Sequence, residues 1–481
     1  MKMKALFAVM LSIVMVLAAM SGFALAEDAA ADRAEAFELW NPDAPALNAL
    51  IDYVEAVTDP DSPDFIPEMD RIAVFDMDGT LMGELYPTYL EYYMLAWRIL
   101  EDPTCQPDAE MLEVGRTLRD CALDNSFPKD MPMQHAIQAA RAYAGMTLLE
   151  FEDFVTQVLV READGFEGMT YGEAYYLPMV EVIEYLQDNG FKCYVCSGSD
   201  RFICRVFIEG MVDIPYEQII GMDVELEARD QGDVPGMDYV FNVGEDVVRT
   251  DRLLIKNLKT NKVLQIAQEI GRQPVLSFGN SSGDVSMHNY VIGNNAYRSA
   301  AFMLIADDEV RDYGNAEKAA GLREKWEESG YTVISMANDW KTIYGEDVKK
   351  TGEFHWMDEL AEDRVPVDAE PEAGAGEDVQ YVMYLGTNDK DTNKPVFTQA
   401  EAMEKAKEIL LRHMGGYTIQ EASGGWIDGE TEYQEYTLVI YLSDTTEEQV
   451  HAAADEMLDV FHQSSVLIQT NPTHSEFYSA K

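Results

Sequence analysis

Short apolar runs alternate with amphipathic segments through the middle of the chain. The runs "RIAVF", "FKCYVC" and "PVLSF" each end in a cluster of Ser, Gly, Asp or Asn, which is typical of a buried strand followed by a turn. "AFMLI" and "YTVIS" predict two further strands. The segments between them have helical spacing, and Gly190 and Gly271 stand where two of these helices should stop. Strands that alternate with helices predict an α/β fold with a doubly wound, mostly parallel sheet.

Residues from about 86 to 180 break this rhythm, because "TYLEYYMLAWRIL" and "TLLEFEDFVTQVLV" have helical spacing and no strand-like run lies between them. This predicts a helical cap inserted after the first strand. Its aromatic residues are expected mainly to pack between helices, with a substrate pocket as the alternative. They are Tyr89, Tyr92, Tyr93 and Trp97.

The last quarter of the chain has a different pattern. Residues 361–378 are rich in Pro, Gly, Ala and acid, which indicates a linker. Residues 379–481 then show the order βαββαβ, which predicts a ferredoxin-like α+β domain. Its two helices should begin at capping boxes, Thr398 with Glu401 and Thr445 with Glu448. No catalytic group of residues is visible there, so we expect a packing module or a binding module for an unidentified partner.

The N-terminus has the pattern of a secretory signal. Lys2 and Lys4 precede a short apolar run that ends in Ala24-Leu25-Ala26, so residues 1–26 are expected to be a signal peptide cleaved before Glu27. An uncleaved anchor is the alternative, and no later apolar run is long enough to span a bilayer. The expected protein is therefore secreted, with no integral membrane span after cleavage.

The net charge restricts the possible partners, and the cysteine positions bear on possible disulfides. The formal net charge is −53, and loss of the two lysines of the signal would make it −55. Such a surface repels nucleic acid and anionic membranes. Cys105 and Cys121 are spaced so that they could form a local disulfide, whereas Cys193 and Cys196 are expected to be buried thiols on a strand.

The octapeptide "VFDMDGTL" carries the clearest chemistry. Asp76 and Asp78 follow a buried strand, at the sheet edge where open α/β proteins bind ligands, and two converging carboxylates require a cation such as Mg²⁺. Gly79 allows the backbone to turn and bring N–H groups, including that of Thr80, towards an anion. One carboxylate can attack phosphorus, and the other can act as acid and base.

This motif resembles that of the haloacid dehalogenase superfamily, in its phosphoserine-phosphatase-like branch with a helical cap. The resemblance covers about residues 65–350, within an expected phosphatase domain at 27–360 that has a Rossmann-like core. It implies that Asp76 is the nucleophile. It also implies that Asp78 is the acid/base and that its backbone carbonyl binds Mg²⁺.

The resemblance extends to two further motifs. "YVCSG" supplies Ser197, whose hydroxyl would bind a phosphoryl oxygen, and Gly198, which lets the backbone approach. The expected catalytic lysine is one of Lys256, Lys259 and Lys262; Lys262 is preferred for its spacing, and Lys259 is its closest rival because the two share a helix face.

The stretch "PVLSFGNSSGD" fits the fourth family motif, except that Asn280 stands at its first acidic position. Asn280 and Asp284 are both expected at the metal, and which of them touches it stays open. The same stretch matches G-x-S-x-G, so a serine hydrolase that uses Ser281, with His355 as its base, is an alternative. His288 is too close in sequence to be the usual triad base.

The leading hypothesis is a secreted, Mg²⁺-dependent phosphomonoesterase that hydrolyses small phosphate esters through an aspartyl-phosphate. A phosphoserine-phosphatase-like or broad specificity fits the resemblance, and phosphocholine is a weaker alternative based on the tyrosine-rich cap. The rival class is a cell-surface binding protein with a degenerate phosphatase domain.

Overall fold

The structure is a computed structural model. It describes residues 36–84, 88–355, 364, 366, 378–414, 416–428, 431–443 and 445–473. Residues 1–369 and 370–481 form two compact units. The expected signal peptide and most of the expected linker lie outside the described residues. No helix in the described ranges is both long and apolar enough to cross a membrane.

The N-terminal unit is built on a seven-stranded sheet with the order β5-β4-β3-β1-β6-β7-β8. Neighbouring strands are parallel except β4 and β5, which pair antiparallel. The strands are β1 (Ile72–Phe75), β3 (Lys192–Asp200), β4 (Ile219–Ala228), β5 (Val247–Ile255), β6 (Leu276–Gly279), β7 (Ala300–Ile305) and β8 (Thr332–Ser335). A separate pair joins β2 (Phe166–Glu167) to β9 (Lys349–Lys350). The predicted parallel α/β sheet is confirmed.

Helices accompany nearly every strand. They are α1 (Pro45–Thr58), α2 (Leu90–Leu100), α3 (Ala109–Asp120), α4 (Met131–Ala142), α5 (Leu148–Leu159), α6 (Leu177–Asp188), α7 (Arg201–Glu209), α8 (Thr260–Gln265), α9 (Val285–Ile292), α10 (Ala316–Glu328) and α11 (Met336–Asp339). A π-helical turn, Ile266–Ile270, continues α8 and ends at Gly271 in the left-handed conformation. Helices α2 to α5 occupy the segment whose spacing predicts a helical insertion, to which the structure adds only the two-residue β2.

The first strand lies in the middle of the sheet, between β3 and β6. Its four residues are fully buried, which explains the unbroken apolar run. The ring of Phe75 stacks on that of Phe278 in β6 at 4.5 Å, and Phe278 stacks on Phe302 in β7 at 4.9 Å. This packing fixes the carboxyl end of β1 against that of β6, where the polar motifs begin.

The possible disulfide between Cys105 and Cys121 is not formed. All five cysteines are free thiols. Cys105 lies before the twelve-residue helix α3, whereas Cys121 caps its C-terminal end. Cys193 and Cys196 are buried on β3, as expected.

The C-terminal unit is a four-stranded antiparallel sheet with the order β11-β12-β10-β13. Its elements are β10 (Asp378–Gly386), α12 (Gln399–His413), β11 (Thr418–Asp428), β12 (Thr431–Leu442), α13 (Glu447–Val460) and β13 (Leu467–Thr473). One sheet face and both helices enclose a separate apolar core. The predicted ferredoxin-like order is confirmed.

The two predicted capping boxes of this unit have different outcomes. The box of Thr398 with Glu401 is present at the start of α12. The second is displaced by one residue, because Thr446 caps α13 and pairs with Gln449. The side-chain oxygen of Gln449 accepts from the amide of Thr446 at 3.0 Å, as a glutamate oxygen would, so either register satisfies the box and the structure has the later one.

Candidate active site

Asp76 is the first residue after β1, and its position is fixed from both sides. Its amide donates a hydrogen bond of 2.9 Å to the carbonyl of Phe278, which continues the β1–β6 pairing by one residue. The chain then turns at Gly79, whose φ of +73° is in the left-handed region that favours glycine. A Cβ atom at Gly79 would lie only 1.9 Å from the side-chain Nδ2 of Asn280, so that side chain would have to move to admit any other residue.

Lys262 joins the loops that follow β1 and β6. Its ammonium nitrogen lies 2.5 Å from Oδ1 of Asp76 and 2.7 Å from Oδ1 of Asp284, and its side chain is 1% exposed. Helix α8 places it there, since its backbone amide is held by the carbonyl of Lys259 at the start of that helix. Three residues that the sequence predicts for the site therefore come together.

The other two candidate lysines lie elsewhere. Lys259 is exposed and has a positive φ of 56° at the start of α8. Lys256 is buried, and its ammonium group binds Oε1 of Glu91 at 2.8 Å. Lys262 is therefore the lysine that the structure brings to the aspartates.

Asp78 points towards the end of β3. Its Oδ2 accepts hydrogen bonds from Ser199 Oγ at 2.7 Å and from Ser197 Oγ at 3.4 Å. The side chain of Ser197 is fully buried, and a Cβ atom at the next residue, Gly198, would lie 2.6 Å from Leu258. Thr80 is also buried, and its Oγ1 has no hydrogen-bond partner among the described residues.

The electrostatics reflect three buried aspartates around one lysine. Burial, followed by the charge of Asp284, raises the pKa of Asp76 to about 8, against the opposing effect of Lys262. Burial and then the charge of Glu91 raise the pKa of Asp78 to about 6. For Asp284, burial acts to raise the pKa, but Lys262 and further hydrogen bonds outweigh it and the pKa is lowered. A cation at this place would relieve the excess negative charge.

Asn280 is oriented so that its oxygen is available. Its Nδ2 donates a hydrogen bond of 2.6 Å to Oε1 of Glu84, while its Oδ1 is buried and has no hydrogen-bond partner among the described residues. By contrast, both carboxylate oxygens of Asp284 already accept hydrogen bonds. Oδ1 binds Lys262, and Oδ2 accepts from the amides of Asn280 and Ser281 at 3.2 and 3.1 Å.

These donors fit a hard divalent cation such as Mg²⁺, which prefers oxygen ligands and keeps several waters. The expected set is the carboxylate of Asp76, the backbone carbonyl of Asp78, and the side chains of Asn280 and Asp284. No cluster of three or more His, Cys, Asp or Glu side chains suited to a metal occurs in the described ranges. The candidate set does not depend on such a cluster, because an amide and a backbone carbonyl take part in it.

The serine-hydrolase alternative finds no support in this geometry. Ser281 Oγ donates weakly to Asp284 at 3.3 Å and accepts from the amide of Gly283 at 3.0 Å, which is turn chemistry. His288 is buried against Ser277 Oγ at 2.7 Å. The backbone of His355 binds Asp164, so among the described residues neither histidine is bonded to Ser281.

Most of the aromatic residues of the insertion serve packing, as predicted. Tyr92 packs on Phe127 and His135, and Tyr93 stacks on Tyr171 at 5.1 Å. Tyr89 differs from them. It is 37% exposed, and the charge of Glu84, followed by burial, raises the pKa of its phenol, with smaller effects from Asp78 and Asp76. Tyr89 is therefore within electrostatic reach of the site carboxylates, as is Tyr92, whose pKa is raised by burial, then by Glu91 and Asp78.

Sequence reasoning missed several residues around these groups. Ser199 stands two positions after Ser197 on a strand, so period-two alternation was a signal that could have identified it. Glu84 and Glu91 carry no local signal. Their proximity to the site depends on how the insertion folds back, which no short motif encodes.

Comparisons with known proteins give a family match in each unit. Residues 73–288 match the family model of haloacid dehalogenase-like hydrolases, and residues 380–477 match that of a protein of unknown function, DUF3574. No curated protein matches the chain significantly.

Similar solved structures include a conserved protein of unknown function from Anaerococcus prevotii, with 14% identity over 60% of this chain and 91% of the other, at a TM-score of 0.37. A phosphoserine phosphohydrolase-like protein from Francisella tularensis is 13% identical, and the match covers 55% of this chain and 94% of that protein, at a TM-score of 0.31. Cytosolic 5'-nucleotidase IIIB bound to cytidine is 12% identical, and the match covers 60% of this chain and 84% of that protein, at a TM-score of 0.37. The family match, together with the sheet and its motifs, identifies residues 73–288 as a haloacid dehalogenase-like hydrolase domain within the N-terminal unit.

Proposed function

We propose that this protein is a Mg²⁺-dependent phosphomonoesterase that hydrolyses small phosphate esters through an aspartyl-phosphate on Asp76. The observation that carries the proposal is the buried ammonium group of Lys262, which binds Asp76 and Asp284 together at the carboxyl end of the sheet. A fixed cation beside a carboxylate nucleophile offsets the charge that grows on the transferred phosphoryl group.

In the first step, Oδ2 of Asp76 attacks phosphorus, and the bond from phosphorus to the ester oxygen breaks. Oδ2 is the available atom, because Lys262 holds Oδ1 and no described residue donates to Oδ2. Asp78 gives its proton to the departing alcohol oxygen, a role that suits a carboxyl group whose pKa is raised to about 6.

In the second step, a water molecule attacks phosphorus, Asp78 takes the proton, and the bond from phosphorus to Asp76 breaks to release phosphate. The hydroxyl of Ser197 and the backbone amides beside Gly79 and Gly198 are the donors that we assign to the phosphoryl oxygens. When bound, Mg²⁺ supplies charge that keeps Asp76 ionised and polarises a phosphoryl oxygen.

We further propose that the protein is exported, on the basis of the signal-like N-terminus, and that the C-terminal unit is a binding module without catalytic residues. The strongly acidic composition supports export and opposes nucleic acid as a partner. The substrate class is a small phosphomonoester, with phosphoserine-like and broad specificities as the leading options.

Hydrolysis of p-nitrophenyl phosphate and a panel of small phosphate esters, with and without Mg²⁺, tests this function. We expect metal-dependent release of phosphate by the full chain and none by D76N. S281A serves as the control and should retain activity. Activity that survives D76N but disappears in S281A would overturn the proposal in favour of a serine hydrolase.

A further inference from the structure

A buried ion pair connects the helical insertion to the loop that leads to Lys262. The ammonium group of Lys256 lies 2.8 Å from Oε1 of Glu91, and the two side chains are 5% and 8% exposed. Glu91 is in the first turn of α2, whereas Lys256 is the first residue after β5, 165 positions later.

Stability alone is a poor explanation for this pair. Removing two charges from water costs free energy that their attraction often fails to recover, so apolar residues of similar size usually stabilise as well or better. The surroundings add to this cost. Oε2 of Glu91 is buried without a hydrogen-bond partner among the described residues, and so is Nδ1 of His135, which lies near the same carboxylate.

The loop that begins at Lys256 is hydrogen-bonded to β3 and to the loop after β6. Asn257 Nδ2 donates to the carbonyl of Ser197 at 2.9 Å, and the amide of Lys259 donates to the carbonyl of Gly283 at 3.1 Å. Asn261, the residue before Lys262, donates from its Nδ2 to the carbonyl of Lys256 at 2.9 Å. A displacement of Lys256 would therefore be passed to Lys262 through a short, fully bonded segment.

The other end of the pair is equally close to the chemistry. Glu91 follows Tyr89 by two positions, and the charges of Glu84, Asp78 and Asp76 act on the phenol of Tyr89. The charge of Glu91 also acts on Asp78, so its carboxylate is within electrostatic reach of the proposed acid/base.

We propose that Glu91 and Lys256 are positioning residues for the reaction: their ion pair fixes the start of α2, with Tyr89, and the loop before Lys262 in one mutual arrangement. The inference rests on the proposed function. It adds that the rate of turnover depends on a contact between the insertion and the core that touches no substrate atom.

Kinetics of E91Q and K256M in the full chain test the inference. We expect kcat to fall at least tenfold in each variant, with K256R and the charge-swapped double variant E91K/K256E recovering part of the loss. The matched control is D102N, which breaks the buried pair between Arg98 in α2 and Asp102, two residues after the end of that helix. D102N should lower the melting temperature but leave the kcat of folded enzyme near that of the wild type.

Hydrogen exchange provides a readout that needs no substrate. In E91Q, amides 257–262 should exchange faster than in the wild type, and in D102N they should not. If the wild type hydrolyses no phosphate ester, the proposed function fails, while unchanged exchange in E91Q would overturn the positioning role. An unchanged kcat in both E91Q and K256M, in an active enzyme, would overturn it as well.

Discussion

The ammonium nitrogen of Lys262 lies 2.5 Å from Oδ1 of Asp76, although 186 positions separate the two residues. The sheet order creates this contact, because β1 lies between β3 and β6, and α8 delivers the lysine beside them. The contact orients the carboxylate, leaving its second oxygen for chemistry.

Replacing Lys262 by methionine should lower kcat by about 10²–10³-fold, since a fixed donor to the transition state is lost. The same change leaves Asp76 and Asp284 buried without their cation, which should lower the free energy of unfolding by about 3–5 kcal/mol. Steady-state kinetics on folded protein and denaturant unfolding measure the two effects separately.

K259M is the matched control, because Lys259 is exposed on the same loop. It should change neither quantity appreciably. Equal losses of kcat in K259M and K262M would contradict the assignment of the lysine.

Asn280 should contribute a neutral oxygen to Mg²⁺. N280A is expected to weaken Mg²⁺ binding about tenfold or more, since its amide oxygen is the group in this loop without a hydrogen-bond partner among the described residues. N280D should not improve binding by itself, because it places a carboxylate against Glu84, where the amide nitrogen now lies at 2.6 Å. The double variant N280D/E84Q removes that repulsion and should bind Mg²⁺ more tightly than N280D.

Calorimetric titration with Mg²⁺ measures these affinities without turnover. An affinity in N280A equal to that of the wild type, together with its loss in D284N, would instead identify Asp284 as the direct ligand from this loop.

Glu181 should make the stability of the N-terminal unit depend on pH. Its carboxylate accepts the amide of Leu39 at 3.1 Å, yet burial raises its pKa to about 7. Because the pKa is higher in the folded protein than in the unfolded chain, the folded state retains this proton longer. This contribution to stability is present below about pH 4.5 and is lost as pH rises towards 7.

Between pH 5 and pH 7, the free energy of unfolding of E181Q should therefore fall by about 1 kcal/mol less than that of the wild type, once solvent screening is allowed for. Thermal unfolding at several pH values provides the measurement. Parallel stability curves for the two proteins across that interval would show that Glu181 does not titrate in this way.

The sequence predicts the strands that are buried on both faces of the sheet. The apolar runs at β1, β3, β6, β7 and β8 each form a parallel strand, since burial on both faces demands continuous hydrophobicity. Strands β4 and β5 were missed. They extend the sheet edge as an antiparallel pair, and in β5 three consecutive buried residues precede the exposed Asp251 and Arg252, so the strand has neither a continuous apolar run nor a regular alternation.

The candidate site was predictable only where residue type and strand end coincide. Asp76, Asp78 and Asp284 follow strands, and Ser197 lies in the second half of β3, at the same sheet edge. Ser197 contacts Asp78, and Lys262 joins Asp76 to Asp284. Glu91 reaches this edge only through the folding of α2, so its sequence context predicts an ordinary helix residue. Long-range contacts of this kind follow from tertiary structure and have no local signal.

The C-terminal unit should be dispensable for turnover. It has its own apolar core, and the candidate catalytic residues all belong to the other unit. A chain that ends at residue 369 is expected to retain kcat within about twofold, and residues 370–481 alone should unfold cooperatively. Loss of turnover in the shortened chain, despite a normal melting profile, would make the C-terminal unit part of the active enzyme.

Chemical trapping of the phosphorylated residue tests the central claim most directly. The full chain is quenched during Mg²⁺-dependent turnover of a phosphate ester, reduced with borohydride and analysed by peptide mass spectrometry. The account predicts conversion of Asp76 to homoserine in the wild type and no conversion in D76N. Steady turnover with an unmodified Asp76, or a covalent adduct on Ser281, would contradict it.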